Sequence, residues 1–247
     1  MAAALAGPAS WTARRDRDLV RGLAPALVVL AGLTVVPGIY LVLTSLTPLN
    51  LASPGSEWDF SRPLGNYVGM FEDPRFVHSV GVQIKLSVAS VVLQLLIGLG
   101  VALLLHPNTT VRQLARPWML VPMVLPPIVV GITWLALFTV DISPIHRFLA
   151  WIGLPMAPLL TNASTAIWAI VLAGTWQHFP FAMLMALAAL QMVPENPIEA
   201  ARIDGASRWQ VFWHVRLPFI APTLVVAGLF ILIDSVKAFP LIFIMTD

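Results

Sequence analysis

Residues 79–105 read SVGVQIKLSVASVVLQLLIGLGVALLL, and Lys85 is the one charged side chain in this run of 27 residues. A helix rises 1.5 Å per residue, so about 20 apolar residues cross the hydrocarbon core of a bilayer. The run therefore predicts a membrane-spanning helix. It also sets the criterion by which the rest of the chain can be searched for further spans.

The composition of the whole chain agrees with a membrane protein. Of the 247 residues, 58% are apolar and 11% are charged, and the mean hydropathy is +0.86. Soluble domains carry about 25% charged residues, and this difference excludes an ordinary soluble protein, a disordered chain and a nucleic-acid-binding protein. The 14 basic and 12 acidic residues leave a net charge of only +2. The absence of cysteine excludes disulfide scaffolds, cysteine-ligated zinc and thiol catalysis.

Four further runs meet the length criterion, and we predict an all-α integral membrane protein, a bundle with five spans. The spans lie at about 22–45, 79–105, 117–140, 163–190 and 220–245. Prolines interrupt several of them, which a bundle tolerates because neighbouring helices and hydroxyl groups satisfy the freed carbonyls. Residues 1–21 are then an N-terminal tail, and residues 22–247 form one membrane domain.

Basic residues in the short flanks predict the orientation, because cytoplasmic loops carry an excess of Arg and Lys. One side of the five spans holds nine arginines, namely Arg14, Arg15, Arg17, Arg21, Arg112, Arg116, Arg202, Arg208 and Arg216. The opposite loops hold three, namely Arg62, Arg75 and Arg147. The N-terminus is therefore expected in the cytoplasm and Asp247 outside. The long outer segment 46–78 is expected to pack against the bundle or a partner.

Segment 191–219 reads QMVPENPIEAARIDGASRWQVFWHVRLPF and lies on the predicted cytoplasmic side. Pro194 and Pro197 end the fourth span and favour the start of a new helix. We expect about two helical turns over residues 198–204, ended by Gly205, since glycine adopts the left-handed conformation at low cost. The small residues of this helix would let another surface come close.

A second helix is predicted directly after Gly205. Ser207 and Gln210 have the spacing of a capping box, which marks a helix start. One face of this helix is aromatic, and Leu217-Pro218 is expected to end it before the fifth span. The face consists of Trp209, Phe212 and Trp213. A docking element and an interfacial amphipathic helix both fit the pattern.

The loop resembles a known motif. The run Glu199–Ala206, EAARIDGA, followed by Phe212 and Leu217-Pro218, is similar to the EAA loop of ABC importer permeases, in the variant of the carbohydrate (maltose-type, binding-protein-dependent) branch. The similarity extends over about residues 25–246. The chain departs from the family pattern in three places, which leave the particular sugar open. These are Val82-Gln83, Ser143–His146 and Pro240.

The resemblance implies a membrane-spanning subunit that moves a sugar or polyol across a bacterial plasma membrane. Its ATPase-coupling residues would be Glu199, Ala200, Ala201, Asp204, Gly205 and Ala206, on a coupling helix at 198–206. The implied partners are a second permease subunit, two cytoplasmic ATP-binding subunits and an extracytoplasmic substrate-binding protein. Relatives usually have a sixth span, so a truncated chain is favoured over a permease without its last helix.

Enzyme function is not expected of this chain. It contains no G-x-x-x-x-G-K-[ST] loop for nucleotide phosphates, so the ATPase activity would reside in a partner. It also lacks the H-E-x-x-H and G-x-S-x-G motifs of intramembrane or soluble hydrolases. We expect no catalytic residue, no metal site and no cofactor.

Polar residues inside the spans are the candidates for a substrate pathway, because a charged side chain inside a bilayer is energetically costly and usually has a function. Gln94, Gln177 and Asp234 fall at similar depth near the midplane, where transporter substrate sites tend to lie. Asp234 and Lys237 are spaced i,i+3 and are expected to pair. We predict a pathway lined by Gln94, Trp176, Gln177, Asp234 and Lys237.

Several of these polar residues also have explanations other than contact with a substrate. Asp234 and Lys237 could form only an internal salt bridge, or could serve as the relay of an ion-coupled secondary carrier. Lys85 could extend toward the outer headgroups. His178, beside Pro180, is expected to be a satisfied polar residue at a helix break. Few cations lie in the predicted outer loops, which disfavours an anionic substrate.

Overall fold

The computed structural model describes residues 8–48, 59–107, 109–140, 142–153 and 159–246, with side chains from residue 19 onward. Trp58, Asp247 and the side chains of Arg14, Arg15 and Arg17 lie outside this description. The helices are α1 (Pro8–Ser45), α2 (Gly65–Glu72), α3 (Pro74–Leu105), α4 (Thr110–Val124), α5 (Pro127–Phe138), α6 (Pro144–Trp151), α7 (Ala163–Gln191), α8 (Glu195–Ile203), α9 (Arg208–Val211), α10 (Leu217–Val236) and α11 (Phe239–Thr246). The described ranges contain no strand, which confirms the all-α prediction.

The chain divides into two units, residues 1–78 and 79–247. In the first, α1 already begins within the segment 1–21 that was predicted as a tail, and its apolar part is Leu19–Ser45. Helix α2 is bonded to the end of α1. The Asn66 amide nitrogen donates to the carbonyls of Ser45 (3.0 Å) and Thr47 (2.7 Å). The segment after the first span thus folds back on the end of that span.

A further pair of bonds shapes the start of this outer segment. The backbone N–H of Ser61 donates to Asp59 Oδ1 at 2.9 Å. This bond, with a second from the Ser61 side chain, holds the pKa of Asp59 below its usual value, because both favour the ionised carboxylate.

Helix α7 forms the centre of the second unit. It has buried apolar residues along its whole length, and these contribute to two hydrophobic clusters with α3, α5, α10 and α11. Gly98 of α3 touches α7 closely. A Cβ atom built on Gly98 would lie 2.5 Å from the Ala182 Cβ and 2.7 Å from the Met183 backbone nitrogen. Small residues let the two helix backbones approach.

The third predicted span, 117–140, is not one continuous helix. Helices α4 and α5 meet at Leu125-Pro126 with a bend of 92°. Pro126 and Pro127 lack the N–H groups that would continue the helical bonds, and a residue before proline is disfavoured in the α conformation; Leu125 accordingly has ψ 136°. Among the described residues, four helices are long and apolar enough to span a membrane, or five if this bent pair is one span.

The fifth predicted span, 220–245, also differs. Leu217-Pro218 does not end the preceding helix, because the helical run continues from Arg208 to Val236 through a π-helical turn at Phe212–Arg216. The N–H of Leu217 bonds to the Phe212 carbonyl, five residues back. The wider turn brings Pro218 to the first turn of α10, where no N–H donor is needed.

The break instead falls at Lys237, where α10 ends and α11 follows. Pro240 explains its position. Proline fits the first turn of a helix, but it has no N–H for the carbonyl four residues back, here that of Val236, and its ring would clash with that carbonyl in a continuous helix. A new helix can therefore start here, whereas the old one cannot continue. The membrane segment predicted at 220–245 is thus two helices with a polar junction between them.

Candidate functional site

The structure brings together four of the five residues predicted to line a substrate pathway. Gln94 of α3, Gln177 of α7, Asp234 of α10 and Lys237 at the end of α10 lie around two neighbouring cavities. One cavity has a volume of about 250 Å³ and the other about 100 Å³. Both are lined by Gln94, His178, Asp234 and Lys237, and Gln177 belongs to the smaller one.

Gln94 and Gln177 each present an unused acceptor. Their side chains are buried, and neither Oε1 atom has a hydrogen-bond partner within the described ranges. The Gln177 amide nitrogen donates to the Leu125 carbonyl at 2.9 Å. Leu125 is the residue at which α4 and α5 bend. This bond fixes the orientation of the amide and leaves its oxygen for another donor. Buried polar atoms are rarely left without a partner, so these two oxygens are suited to accept hydroxyl groups.

Asp234 does not pair with Lys237 as expected. Its Oδ2 lies 3.3 Å from His178 Nε2, and the part of the chain that the structure describes shows no ion pair between Asp234 and Lys237. The carboxylate instead faces His178 of the neighbouring helix α7. His178 lies opposite because α7 continues through Pro180 without the expected break.

His178 has polar partners, as expected, but its partner on another helix, Asp234, was not foreseen. Its Nδ1 contacts the Gly174 carbonyl at 3.1 Å, one turn back on the same helix. Its other ring nitrogen faces Asp234. A histidine near a proline in an apolar run gives no sign of a partner on another helix, and only the packing of α7 against α10 supplies it.

The aromatic residues of the cavity are also different from those expected. Trp176 packs against Trp134, with ring centroids 5.9 Å apart, and lines neither cavity. Phe181 and Phe230 line the larger cavity instead, in an edge-to-face pair at 6.1 Å. A signal was present in the spacing, since Phe181 follows His178 by three residues and Phe230 precedes Asp234 by four, which places each pair on one helix face.

Lys85 lies on a different face of α3. It is exposed and lines a separate apolar groove with Trp168 of α7, whereas Leu86, Ser90 and Gln94 face inward. The structure thus separates the two lysines of the apolar runs, and only Lys237 is at the cavity.

A hydrogen-bond network joins α3 to α10 beside the cavity. Gln83, at one of the departures from the family pattern, donates to Ser87 Oγ (2.9 Å) and to the Ser235 carbonyl (3.2 Å). The Ser235 hydroxyl donates to Ser87 Oγ at 2.8 Å. These bonds hold the last turn of α10, and therefore position Asp234 and Lys237.

The predicted coupling loop forms a short exposed helix. Helix α8 begins at Glu195, three residues earlier than expected, because Pro194 supplies the N-cap and Pro197 fits within the first turn. Ile198 is the one buried residue within α8, and it anchors the helix. Glu199 and Ala200 lie on the exposed side, and Ile203 is 85% exposed.

The end of α8 is a Schellman motif. Gly205 has φ +82°, the N–H of Gly205 bonds to the Arg202 carbonyl at 3.1 Å, and the N–H of Ala206 bonds to the Ala201 carbonyl at 2.9 Å. This is the pattern that closes a helix with glycine in the left-handed conformation. The predicted end at Gly205 is confirmed.

The capping box at the next helix is also confirmed. Gln210 N–H donates to Ser207 Oγ at 3.3 Å, and Ser207 N–H donates to Gln210 Oε1 at 2.8 Å. Trp209, Phe212 and Trp213 contact one another with ring centroids 5.5–5.9 Å apart. The two capping motifs fix the turn between α8 and the long helical run that follows.

Comparisons with known proteins agree with this arrangement. A family model described as binding-protein-dependent transport system inner membrane component matches residues 94–246. The chain is similar to the probable ABC transporter permease protein y4oQ of Sinorhizobium fredii, at 33% identity over 222 residues, 90% of this chain and 71% of that protein. It is 31% identical over 224 residues, 91% of this chain and 71% of the relative, to the trehalose transport system permease protein SugA of Mycobacterium tuberculosis.

A solved structure shows the same fold. A chain of a bacterial ABC transporter involved in the import of the acidic polysaccharide alginate matches with a TM-score of 0.76 and 20% identity, over 96% of this chain and 80% of that one. The family match starts at Gln94 and includes the larger cavity and the predicted coupling loop. These findings support an ATP-driven transporter and not the ion-coupled carrier. The chain belongs to the family of inner membrane components of binding-protein-dependent transport systems and is an ABC transporter permease.

Proposed function

We propose that this permease translocates a carbohydrate, and that the carbohydrate passes the cavity between α3, α7 and α10. The observation that carries the proposal is that Gln94 and Gln177, which both line the smaller cavity, have buried side-chain oxygens without a hydrogen-bond partner in the described ranges. Sugar hydroxyls donate hydrogen bonds to such oxygens. The Phe181–Phe230 pair offers the apolar surface that a sugar ring face needs.

The relatives support a carbohydrate but do not fix which one. One relative is named for trehalose, and the structural neighbour is named for an acidic polysaccharide. These names include a neutral and an acidic sugar, so the charge of the substrate does not follow from the relatives.

The exposed face of α8 is the proposed contact with an ATP-binding subunit. Glu199 and Ala200 would contact that subunit, together with the exposed Ile203 and with Asp204, while Gly205 and Ala206 hold the end of the helix. The remaining proposed partners are a second permease subunit, a second ATP-binding subunit and an extracytoplasmic binding protein, in a bacterial plasma membrane. The ATPase activity lies in the partner, and the permease moves with it.

The test of the pathway is Gln94→Leu in the assembled transporter. The substitution removes an acceptor that has no partner, so we expect unchanged or higher thermal stability and sugar uptake lowered about tenfold, the effect of one lost hydrogen bond to substrate. Gln83→Leu is the matched control. It breaks bonds to Ser87 and Ser235, and is expected to lower stability.

Two outcomes of this experiment would contradict the proposed pathway. Uptake by Gln94→Leu equal to that of the wild type would remove Gln94 from the pathway. Loss of uptake only in proportion to lost stability would give Gln94 a structural role. If no sugar stimulates the ATPase of the wild-type complex at all, the carbohydrate proposal itself is wrong.

A further inference from the structure

The groove that Lys85 and Trp168 line is separate from the two cavities of the proposed pathway. It lies between α3 and α7, has a volume of about 830 Å³, and shares no described lining residue with either cavity. Apart from Lys85 and Ser164, the side chains along it are aliphatic or aromatic. The groove is thus an apolar feature of the surface, outside the proposed pathway.

The polar and apolar parts of the groove lie at opposite ends. On α3 the groove extends over residues 84–93, about 14 Å at 1.5 Å per residue, with Lys85 at one end. The two helices meet again further along both, where Gly98 packs against Ala182, so they run in the same direction. Ser164, in the first turn of α7, therefore lies at the Lys85 end, and aliphatic side chains alone line the other end.

The charge at the polar end has no partner in the part of the chain that the structure describes. The Lys85 ammonium group forms no ion pair within 4.0 Å and no hydrogen bond there. The Ser164 hydroxyl donates to Asn162 Oδ1 at 3.0 Å. A charge within a membrane span is costly and almost always has a partner or a function. The groove therefore combines an unpaired cation at one end with an apolar channel.

We propose that the groove binds a phospholipid with an anionic headgroup, and that Lys85 contacts its phosphate. Such a lipid carries its groups in the order that the groove requires, with an anion at one end and an acyl chain along residues 88–93. The lysine stem can follow the apolar wall while its ammonium group reaches the headgroup. Trp168, which is 60% exposed, suits this end because tryptophan is enriched at headgroup level.

Other occupants fit the groove less well. A helix of another subunit would cover Lys85 with apolar side chains without supplying an anion, and a buried unpaired charge is costly. A zwitterionic lipid fills the apolar part, but its own ammonium group offsets the attraction between Lys85 and its phosphate. The predicted orientation places the Lys85 end outside, so the lipid belongs to the outer leaflet. This site is independent of the substrate that the permease carries.

The experiment titrates phosphatidylglycerol or phosphatidylcholine into the purified full complex in detergent. Native mass spectrometry counts the retained lipid, and the rise in unfolding temperature reports its binding, since a ligand stabilises the state that binds it. The variants are K85M, K85R and V88W, with K237M as a control that removes a lysine outside the groove. Val88 lines the groove and its side chain is exposed, so V88W occupies the acyl-chain position without entering the core.

We expect the wild type to bind phosphatidylglycerol about tenfold more tightly than phosphatidylcholine, the effect of one charge-assisted hydrogen bond. K85M should lose this preference, whereas K85R and K237M should keep it. V88W should retain less phosphatidylglycerol although the charge is unchanged.

Four results would contradict the proposed lipid site. Equal affinity of the wild type for both lipids would mean that the groove does not select an anionic headgroup. Unchanged phosphatidylglycerol binding by K85M would remove Lys85 from the site. Normal retention by V88W would place the bound lipid elsewhere. If the K85M and V88W complexes lose the second permease subunit, the groove is a subunit interface and not a lipid site.

Discussion

The residues of the coupling motif divide into two physical roles. Ala201, Gly205 and Ala206 form the Schellman end of α8 through backbone bonds, and the positive φ of Gly205 favours glycine there. Glu199 and Ala200 remain on the exposed side of the helix, so they are available to a partner. A motif that reads as one unit in the sequence therefore combines a structural cap with a contact surface.

Gly205→Ala tests the first role. A side chain at φ +82° costs roughly 1–2 kcal/mol locally, and no neighbour within 4 Å hinders the added methyl group. We expect the end of α8 to shift and sugar-stimulated ATPase activity to fall several-fold, while the thermal stability of the membrane part changes little. The measurement is ATPase activity with and without sugar in the reconstituted complex.

Gly153→Ala is the matched control for this change, because Gly153 has φ +78° and also has open space around it. It introduces the same backbone strain after α6, away from the coupling loop. Equal loss of activity in both variants would show that the strain acts through stability and not through coupling.

Glu199→Lys tests the second role at the same scale. The substitution reverses one exposed charge of α8 without touching its end, so the helix should remain folded. We expect less ATP-binding subunit to co-purify with the permease, together with lower sugar-stimulated ATPase activity. Normal co-purification and normal stimulation would contradict the assignment of α8 as the coupling helix.

At the scale of the helices, prolines have three different outcomes. Pro180 lies inside α7, which continues. Pro126-Pro127 produces the 92° bend between α4 and α5, since two successive N–H groups are missing. Pro218 follows a π-helical turn that keeps the run intact. The same residue type thus continues, bends or widens a helix according to how the freed carbonyls are satisfied.

The crossing of α3 and α7 gives a prediction about packing. Gly98→Ala would place a methyl group 2.5 Å from the Ala182 Cβ, and separating the helices should cost about 1–3 kcal/mol. Gly100→Ala, on the same helix, meets no atom within 4 Å. We expect a lower unfolding temperature in detergent for Gly98→Ala only. A similar loss in Gly100→Ala would point to helix flexibility and not to the crossing.

At the scale of the whole molecule, the orientation in the membrane remains a prediction from the arginine distribution. The chain contains no cysteine, so single cysteines report topology without background. Gln113→Cys, exposed in the predicted cytoplasmic segment after α3, should react with a membrane-impermeant maleimide only after the cells are permeabilised. Gly69→Cys, on the exposed side of α2, should react in intact cells. The reverse pattern would place the N-terminus outside.

Much of the fold followed from local features of the sequence. Apolar length predicted the spans, and the end at Gly205 and the capping box at Ser207 were readable from neighbouring residues. The breaks at Leu125 and Lys237 were harder to predict, because a proline in an apolar run is compatible with several backbones. Packing against other helices, such as the bond from Gln177 to the Leu125 carbonyl, selects among them.

The sequence by itself determined that the chain is a helical membrane protein with a short capped helix in segment 191–219, because hydrophobic length, capping and turn formation act between residues close in the chain. Only the tertiary structure decided the site. It paired Asp234 with His178 and not with Lys237, placed Phe181 and Phe230 at the cavity in place of Trp176, and left two glutamine oxygens and one lysine without partners in the described ranges. These relations join α3, α7 and α10 across many residues, and their free energies depend on which side chains meet when the helices pack.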